Sequence, residues 1–180
     1  MSALIPGLAE RLRASEEFAT VERRTAAGVP VCVHGVSGGG SALLIAGLVG
    51  DGSALIATYN DERARRIADD LRALLGEDDG AAGRRVLVYP SIASALYDGV
   101  TPGRDEIADR LTVLDRLCAD EPVLVVASVP ALLLRTIPRE LMMASRREVR
   151  PGETLNRDDL GLALVKLGYE RVDLVDGVGQ

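Results

Sequence analysis

Four short apolar segments alternate with helical patterns along the first 130 residues, and this alternation restricts the fold more than any other feature. The four segments are residues 29–34, 54–58, 85–89 and 122–127. Nearly continuous apolar runs of this length are typical of strands that are covered on both faces. Strands that alternate with helices build parallel sheets. The sequence therefore predicts an α/β fold, with a doubly wound parallel sheet of the Rossmann or P-loop type.

Two of the intervening segments have the period of an amphipathic helix. In residues 60–75 the apolar side chains fall on one stripe, and Asn60 is a suitable N-cap ahead of two acidic residues. Residues 105–118 carry a similar stripe that ends at Cys118. Both stripes predict helices that bury one face against the sheet.

The pattern changes after Ser128. Three further elements are predicted there: a short helix over 129–137, a helix over 156–167 with Asn156 as its N-cap, and a strand over 169–175. One helix and one strand cannot build an independent core. We therefore expect one domain over residues 1–130, and we expect residues 131–180 to be the beginning of an incomplete second domain in a partial chain.

Composition excludes several classes of function. The net charge of −6 disfavours autonomous DNA binding, because neutralising phosphate needs excess positive charge. One histidine and two distant cysteines argue against a metal site, and no apolar run is long enough to span a membrane, so we expect a cytoplasmic protein without a metal. A basic stretch of Arg146, Arg147 and Arg150 is interrupted by Glu148 and predicts a solvated face rather than a partner or phosphate patch.

The glycine-rich segment 34–42 (HGVSGGGSA) is the sharpest motif, because it follows a predicted strand and opens a helix. That is the context of a phosphate-binding loop. Gly35 and Gly40 fit the two glycines of the Walker pattern, but Ser41 stands at the lysine position and Ala42 at the Mg²⁺-binding position. No acidic residue ends the fourth strand. We predict a vestigial nucleotide-binding loop, with a weak anion site as the alternative, formed by Gly35, Gly38, Gly39, Gly40 and Ser41.

No catalytic constellation can be assembled from the remaining residues. His34 ends an apolar run and has no nucleophile that the sequence places beside it. Cys32 alternates with valines, and Cys118 closes a helical stripe, so both are expected to be buried thiols. Because nucleophile, base and orienting group are all missing, we predict that this chain is not itself an enzyme.

Several segments resemble a known family in collinear order. Residues 89–102 (YPSIASALYDGVTP) are similar to the pattern F-P-x-W-E-x-L-P-Y-[DE]-x-x-S-P. Residues 105–111 (DEIADRL) are similar to the acid and the R-L that follow this pattern in the family. The family is the bacterial transcription-repair coupling factor (Mfd). The segment ALIATYNDERARRIADDL resembles that family's L-V-V-x-P-x-x-x-x-A-x-x-L-x-x-D-L. The tail GETLNRDDL with LGYERVD resembles K-G-x-x-L-x-x-x-x-L and L-x-x-x-G-Y-x-x-V-D.

The resemblance implies an N-terminal UvrB-like module with a degenerate nucleotide site. It implies a helicase-like α/β domain over 1–130, similar to UvrB domain 1a, and the start of a UvrA-binding inserted domain over 131–180. In that family, ATP and Mg²⁺ serve a distant motor, and other domains contact RNA polymerase and DNA. The chain departs from the family where Ile92 and Ala93 replace the Trp-Glu pair, and the arginine of the family's R-G-G strand would follow Gln180.

Two functions follow as hypotheses. The first is a non-catalytic interaction and regulatory module that, in the full protein, links stalled RNA polymerase to nucleotide excision repair through UvrA. The alternative is a small P-loop-like domain that binds a nucleotide or another anion. Nucleotide affinity separates the two hypotheses, because only the second requires it.

Overall fold

The computed structural model describes residues 8–76, 85–92, 103–169 and 171–172. The chain divides into two compact units, Met1–Arg135 and Thr136–Gln180. The first unit contains a parallel sheet with helices packed on it, and the described residues of the second unit form two helices joined by irregular backbone. None of the helices in the described residues is long and apolar enough to cross a membrane.

The sheet of the first unit has three parallel strands, β1 (Ala54–Thr58), β2 (Val86–Tyr89) and β3 (Leu124–Ser128). The strand order is β1-β3-β2, so β1 and β2 are the edges of the described sheet and every residue of β3 is buried. This arrangement confirms the prediction of an α/β fold with a parallel sheet. Three of the four predicted strands form within two residues of their predicted bounds.

One face of the sheet is covered by α3 (Gly40–Val49) and α4 (Asp61–Leu75). The predicted cap of α4 is confirmed, because the Arg63 amide donates a 2.8 Å hydrogen bond to Asn60 Oδ1. The helix ends at Gly76, whose left-handed backbone suits glycine at this position. The core of this face is formed mainly by Leu71, Leu124 and Val126, together with small residues from α3.

The opposite face is covered by α5 (Arg104–Cys118) and by the short helix α6 (Val129–Leu133). Here Val113 and Ala131 pack with the buried residues of β3 that point away from α4. Along the chain, β1 is followed by β2, which lies two positions away in the sheet. The chain then turns back, and β3 fills the central position between them. Because crossovers between parallel strands are nearly always right-handed, this reversal of direction places α4 and α5 on opposite faces.

Two short helices, α1 (Leu8–Arg13) and α2 (Glu16–Ala26), pack against α3. Phe18 of α2 is buried at this contact. Gly47 makes the contact possible, because a Cβ atom there would lie 2.7 Å from Leu12 Cδ2 and 3.0 Å from Phe18 Cε2. A larger residue at this position would push α1 and α2 away from α3.

The predicted strand over residues 29–34 does not form, and the prediction was wrong. These residues have irregular backbone, and Val33 is 42% exposed. Gly28, at φ +70°, turns the chain after α2, and Pro30 has no amide hydrogen to donate to a neighbouring strand. A segment with high β-propensity becomes a strand only where a neighbour completes its hydrogen bonds, and β1 has only β3 as a neighbour in the described sheet.

The second unit contains α7 (Arg139–Ser145) and α8 (Arg157–Lys166), and none of its described residues is buried. The predicted cap of α8 is confirmed, because Asn156 Oδ1 accepts from the Asp158 amide at 3.0 Å. The described part of the predicted strand 169–175 is irregular, and the rest lies outside the described residues. The predicted helix 129–137 ends earlier, at α6, because Leu134 adopts extended backbone.

Candidate functional site

The glycine-rich loop has two glycines at positive φ and leads into the N-terminus of a helix. Gly35 and Gly38 have φ angles of +80° and +54°, which favour glycine over other residues. The loop leads into α3, whose cap residue Gly39 provides no side-chain hydrogen bond. The first amides of a helix have no acceptor within the helix, and they favour negative charge. The backbone therefore offers donors, and the side chains decide whether an anion could be held.

The two side chains that complete a Walker loop are absent, and the structure leaves no room for one of them. Ser41, at the lysine position, is half-buried and carries no charge. Ala42, at the position of the metal-binding hydroxyl, is 0% exposed and belongs to the core with Ala46 and Ala64. A side chain at position 42 thus contributes to packing against α4. A hydroxyl there would enter the core and would not face a bound metal.

The described residues beside the loop carry negative rather than positive charge. Gly39 and Gly40 line a cavity of about 310 Å³ with Leu8, Leu43, Ala73 and Leu74, and Asp70 is the charged residue of this lining. A carboxylate repels phosphate, and the described residues that line this cavity include no lysine or arginine to offset it. The prediction of a vestigial loop at Gly35, Gly38, Gly39, Gly40 and Ser41 stays a prediction.

Parallel sheets bind ligands at the carboxyl ends of adjacent strands whose following helices lie on opposite faces. In this sheet that point lies between β1 and β3, where Thr58 and Ser128 are paired in register. Thr58 Oγ1 donates to the Asn60 carbonyl at 2.8 Å, and Ser128 Oγ accepts from the Ala131 amide at 3.3 Å. Both hydroxyls are buried and have structural partners. They therefore hold the turns after the strands and are not available as nucleophiles.

The sequence analysis missed the residues that hold the chain after β2. Arg110 of α5 is 7% exposed, its Nη1 donates to the Pro90 carbonyl at 2.8 Å, and its guanidinium lies 4.0 Å from the centre of the Tyr89 ring. From the other face, Asp61 Oδ2 accepts from the Ser91 amide at 3.3 Å. The available signal was the R-L of DEIADRL, which belongs to the family pattern. These contacts hold the backbone at Pro90 and Ser91, directly after β2.

Cys32 and His34 are brought together on the irregular segment that replaces the predicted strand. Cys32 is exposed, so the prediction of a buried thiol was wrong for this residue, whereas Cys118 is half-buried. The Sγ atom of Cys32 lies 3.3 Å from Nε2 of His34. In extended backbone, side chains two residues apart point to the same side. Among the described residues, no group of three or more metal-ligand side chains occurs.

The basic stretch of the second unit lies at the surface, and its assignment as a solvated face rather than a partner or phosphate patch stays a prediction. Arg146, Arg147 and Arg150 are all exposed, and Arg150 Nε pairs with Glu148 Oε1 at 2.8 Å. Ion pairs exposed in this way contribute little to stability. The apolar surface of this unit is the more distinctive feature, because Leu141 and Leu162 line a groove of about 450 Å³ between α7 and α8.

Fold and loop together define the class of the first unit: a parallel α/β module with a glycine-rich loop before a helix. No family model matches the chain. A transcription-repair-coupling factor of Myxococcus xanthus is 33% identical over 175 residues, which are 95% of this chain and 14% of that protein. The corresponding protein of Bacillus subtilis is 34% identical over 126 residues, 69% of this chain and 10% of that protein.

A third relative, the transcription-repair-coupling factor of Mycobacterium tuberculosis, is 27% identical over 183 residues and 98% of this chain. The chain is therefore a homologue of a segment of the transcription-repair-coupling factors, and the resemblance inferred from its sequence is confirmed. It spans only 10–14% of the length of these relatives.

Proposed function

We propose that this chain is a non-catalytic interaction module of a transcription-repair coupling factor, acting in nucleotide excision repair. The observation that carries the proposal is its similarity to such factors over 95% of its length. In this proposal residues 1–130 are a doubly wound, UvrB-like domain in which the nucleotide site has been lost. Residues 131–180 begin an inserted domain that contacts UvrA, and the protein acts in the cytoplasm. RNA polymerase, DNA, ATP and Mg²⁺ are bound by other parts of the full protein.

The absence of catalysis is supported by the loop and by the carboxyl edge of the sheet. Ser41 supplies no positive charge, Ala42 is packed in the core, and Asp70 adds negative charge beside the loop. The hydroxyls of Thr58 and Ser128 are held by backbone partners. Phosphoryl transfer needs charged groups placed around the phosphates and a metal, and these described residues provide neither.

Isothermal titration with Mg²⁺-ATP tests this part of the proposal. We expect no binding heat at millimolar nucleotide concentrations. A dissociation constant in the micromolar range would refute the loss of the site and support the alternative, an anion-binding or nucleotide-binding domain. Inorganic phosphate and pyrophosphate in parallel titrations distinguish a general anion site from a nucleotide site.

Contact with UvrA is proposed for the second unit because of its uncovered apolar surface. Leu162 of α8 is 63% exposed and lines the groove between α7 and α8. Exposed apolar patches with polar rims mark surfaces that bind partners, and Arg147, Asp159 and Lys166 line the same groove. Together these residues form an apolar surface with charged groups that could fix the orientation of a partner.

Biolayer interferometry with purified UvrA tests this contact. Leu162→Arg is expected to weaken binding by at least about tenfold, which corresponds to about 1.4 kcal/mol. The matched control is Leu55→Arg, because Leu55 is a leucine of nearly the same exposure, 62%, on β1 of the first unit. It is expected to leave the affinity unchanged. No binding by the unaltered chain, or equal effects of the two substitutions, would refute the proposed contact.

A further inference from the structure

The Cys32–His34 pair is not used by the proposed function, yet it places a nucleophile beside a base. The two side chains lie on the irregular segment 29–37, and both are exposed. A sulfur and a ring nitrogen 3.3 Å apart are within the reach at which a proton passes from thiol to imidazole. This nucleophile–base spacing is one part of the geometric signature of an activated cysteine.

We propose that Cys32 is a reactive thiol that undergoes exchange with small-molecule disulfides, with His34 as the proton acceptor. Nε2 of His34 takes the thiol proton, and the thiolate attacks one sulfur of the disulfide. The S–S bond of the reagent breaks as a new S–S bond forms to Sγ of Cys32. The second sulfur leaves as a thiolate, and the imidazolium returns its proton to that thiolate where it is basic enough, or otherwise to solvent. Cys32 is thereby oxidised, and the small disulfide is the oxidant that is reduced.

Access to the thiol supports this proposal. Thiol–disulfide exchange needs an attacking sulfur that approaches the disulfide in line, so a covered thiol reacts slowly. Cys32 is exposed on a segment whose neighbours Val33 and Val36 are also exposed. The product is a mixed disulfide three residues before Gly35, at the entrance to the glycine-rich loop. The modified residue therefore adds a bulky group to a surface that is otherwise small and apolar.

The chain contains its own control. Cys118 is the other cysteine of the sequence, and it is half-buried at the end of α5. Because His34 is the one histidine in the sequence, replacing it removes every imidazole from the protein. The dependence of the Cys32 rate on His34 therefore separates activation by the imidazole from a difference in exposure between the two cysteines.

The test is stopped-flow reaction of the chain with dithiobis(nitrobenzoate). We expect a fast phase from Cys32 that is missing in Cys32→Ser, and a slow phase from Cys118. His34→Gln keeps a polar side chain of similar size without a base, and it is expected to slow the fast phase by about tenfold or more while leaving the slow phase unchanged.

Two outcomes would overturn the proposal. One is a fast phase that His34→Gln does not change, because Cys32 would then react through exposure alone. The other is equal reactivity of Cys32 and Cys118. As an independent readout, the chain is incubated with oxidised glutathione and digested. Peptide mass spectrometry is then expected to place the mixed disulfide on Cys32, and its appearance mainly on Cys118 would also refute the proposal.

Discussion

The substitution Ala42→Thr tests whether the glycine-rich loop is a degraded site or a working one. Threonine at this position restores the metal-binding hydroxyl of the Walker pattern. In this structure, however, Ala42 has no exposed surface and packs in the same cluster as Ala46 and Ala64. The added methyl and hydroxyl must therefore enter a filled core.

The expected cost follows from two terms. Overpacking of a core costs about 1–3 kcal/mol, and a buried hydroxyl without a partner costs about 1–3 kcal/mol. A hydrogen bond from the hydroxyl to the carbonyl of the preceding helical turn would recover part of the second term. We expect Ala42→Thr to lower the free energy of unfolding by about 2–4 kcal/mol, measured by urea denaturation followed by circular dichroism.

Two control variants make the result specific. Ala46→Thr places the same side chain one turn further along the buried face of α3, where the exposure is 3%, and is expected to cost a similar amount. Ser41→Lys alters a half-buried position and is expected to change stability by about 0.5 kcal/mol or less. The double variant Ser41→Lys/Ala42→Thr carries both Walker residues and should still not bind Mg²⁺-ATP. Unchanged stability of Ala42→Thr, with nucleotide binding by the double variant, would refute the reasoning.

Three further predictions concern stability. Arg110→Met should lower the free energy of unfolding by about 1–3 kcal/mol, because it removes the hydrogen bond to Pro90 and the contact with the Tyr89 ring. The measurement is urea denaturation. If stability does not fall, burying the charge of Arg110 costs as much as these two contacts contribute. Asn60→Ala should cost about 1 kcal/mol by loss of the α4 cap, whereas Asn60→Asp should retain the cap in the same assay. Amides of residues 139–166 should exchange with solvent faster than those of β3, because no residue in 139–166 is buried. Equal protection of the two segments in hydrogen-exchange mass spectrometry would contradict this prediction.

Those parts of the fold that depend on local patterns could be predicted from the sequence. The apolar stripe of residues 60–75 and the capping asparagine define α4 almost to the residue. The uniformly apolar run of β3 corresponds to its burial on both faces. The departure from the Walker pattern at Ser41 and Ala42 is a matter of residue identity, and whether a nucleotide site has been lost stays a prediction.

The parts that depend on distant partners could not be predicted. Residues 29–34 have the composition of a strand, but a strand requires a neighbour that the sequence does not specify. The error about Cys32 follows directly, because its predicted burial depended on that strand. Arg110 was missed for a similar reason: its contact with Tyr89 joins residues on separate elements, and periodicity within α5 gives no information about it.

The outer edge of β1 has a consequence for how this protein behaves at high concentration. The strand, ALIAT, contains no charged residue and no proline, and Leu55 on it is 62% exposed. Natural edge strands usually carry a lysine, a proline or a bulge that prevents pairing between molecules. No strand of the described residues pairs with the outer side of β1, so its amides and carbonyls there are free to pair with a second molecule. We expect self-association through this edge to limit the concentration at which the isolated chain stays monomeric, and we expect a lysine in place of Leu55 to raise that limit.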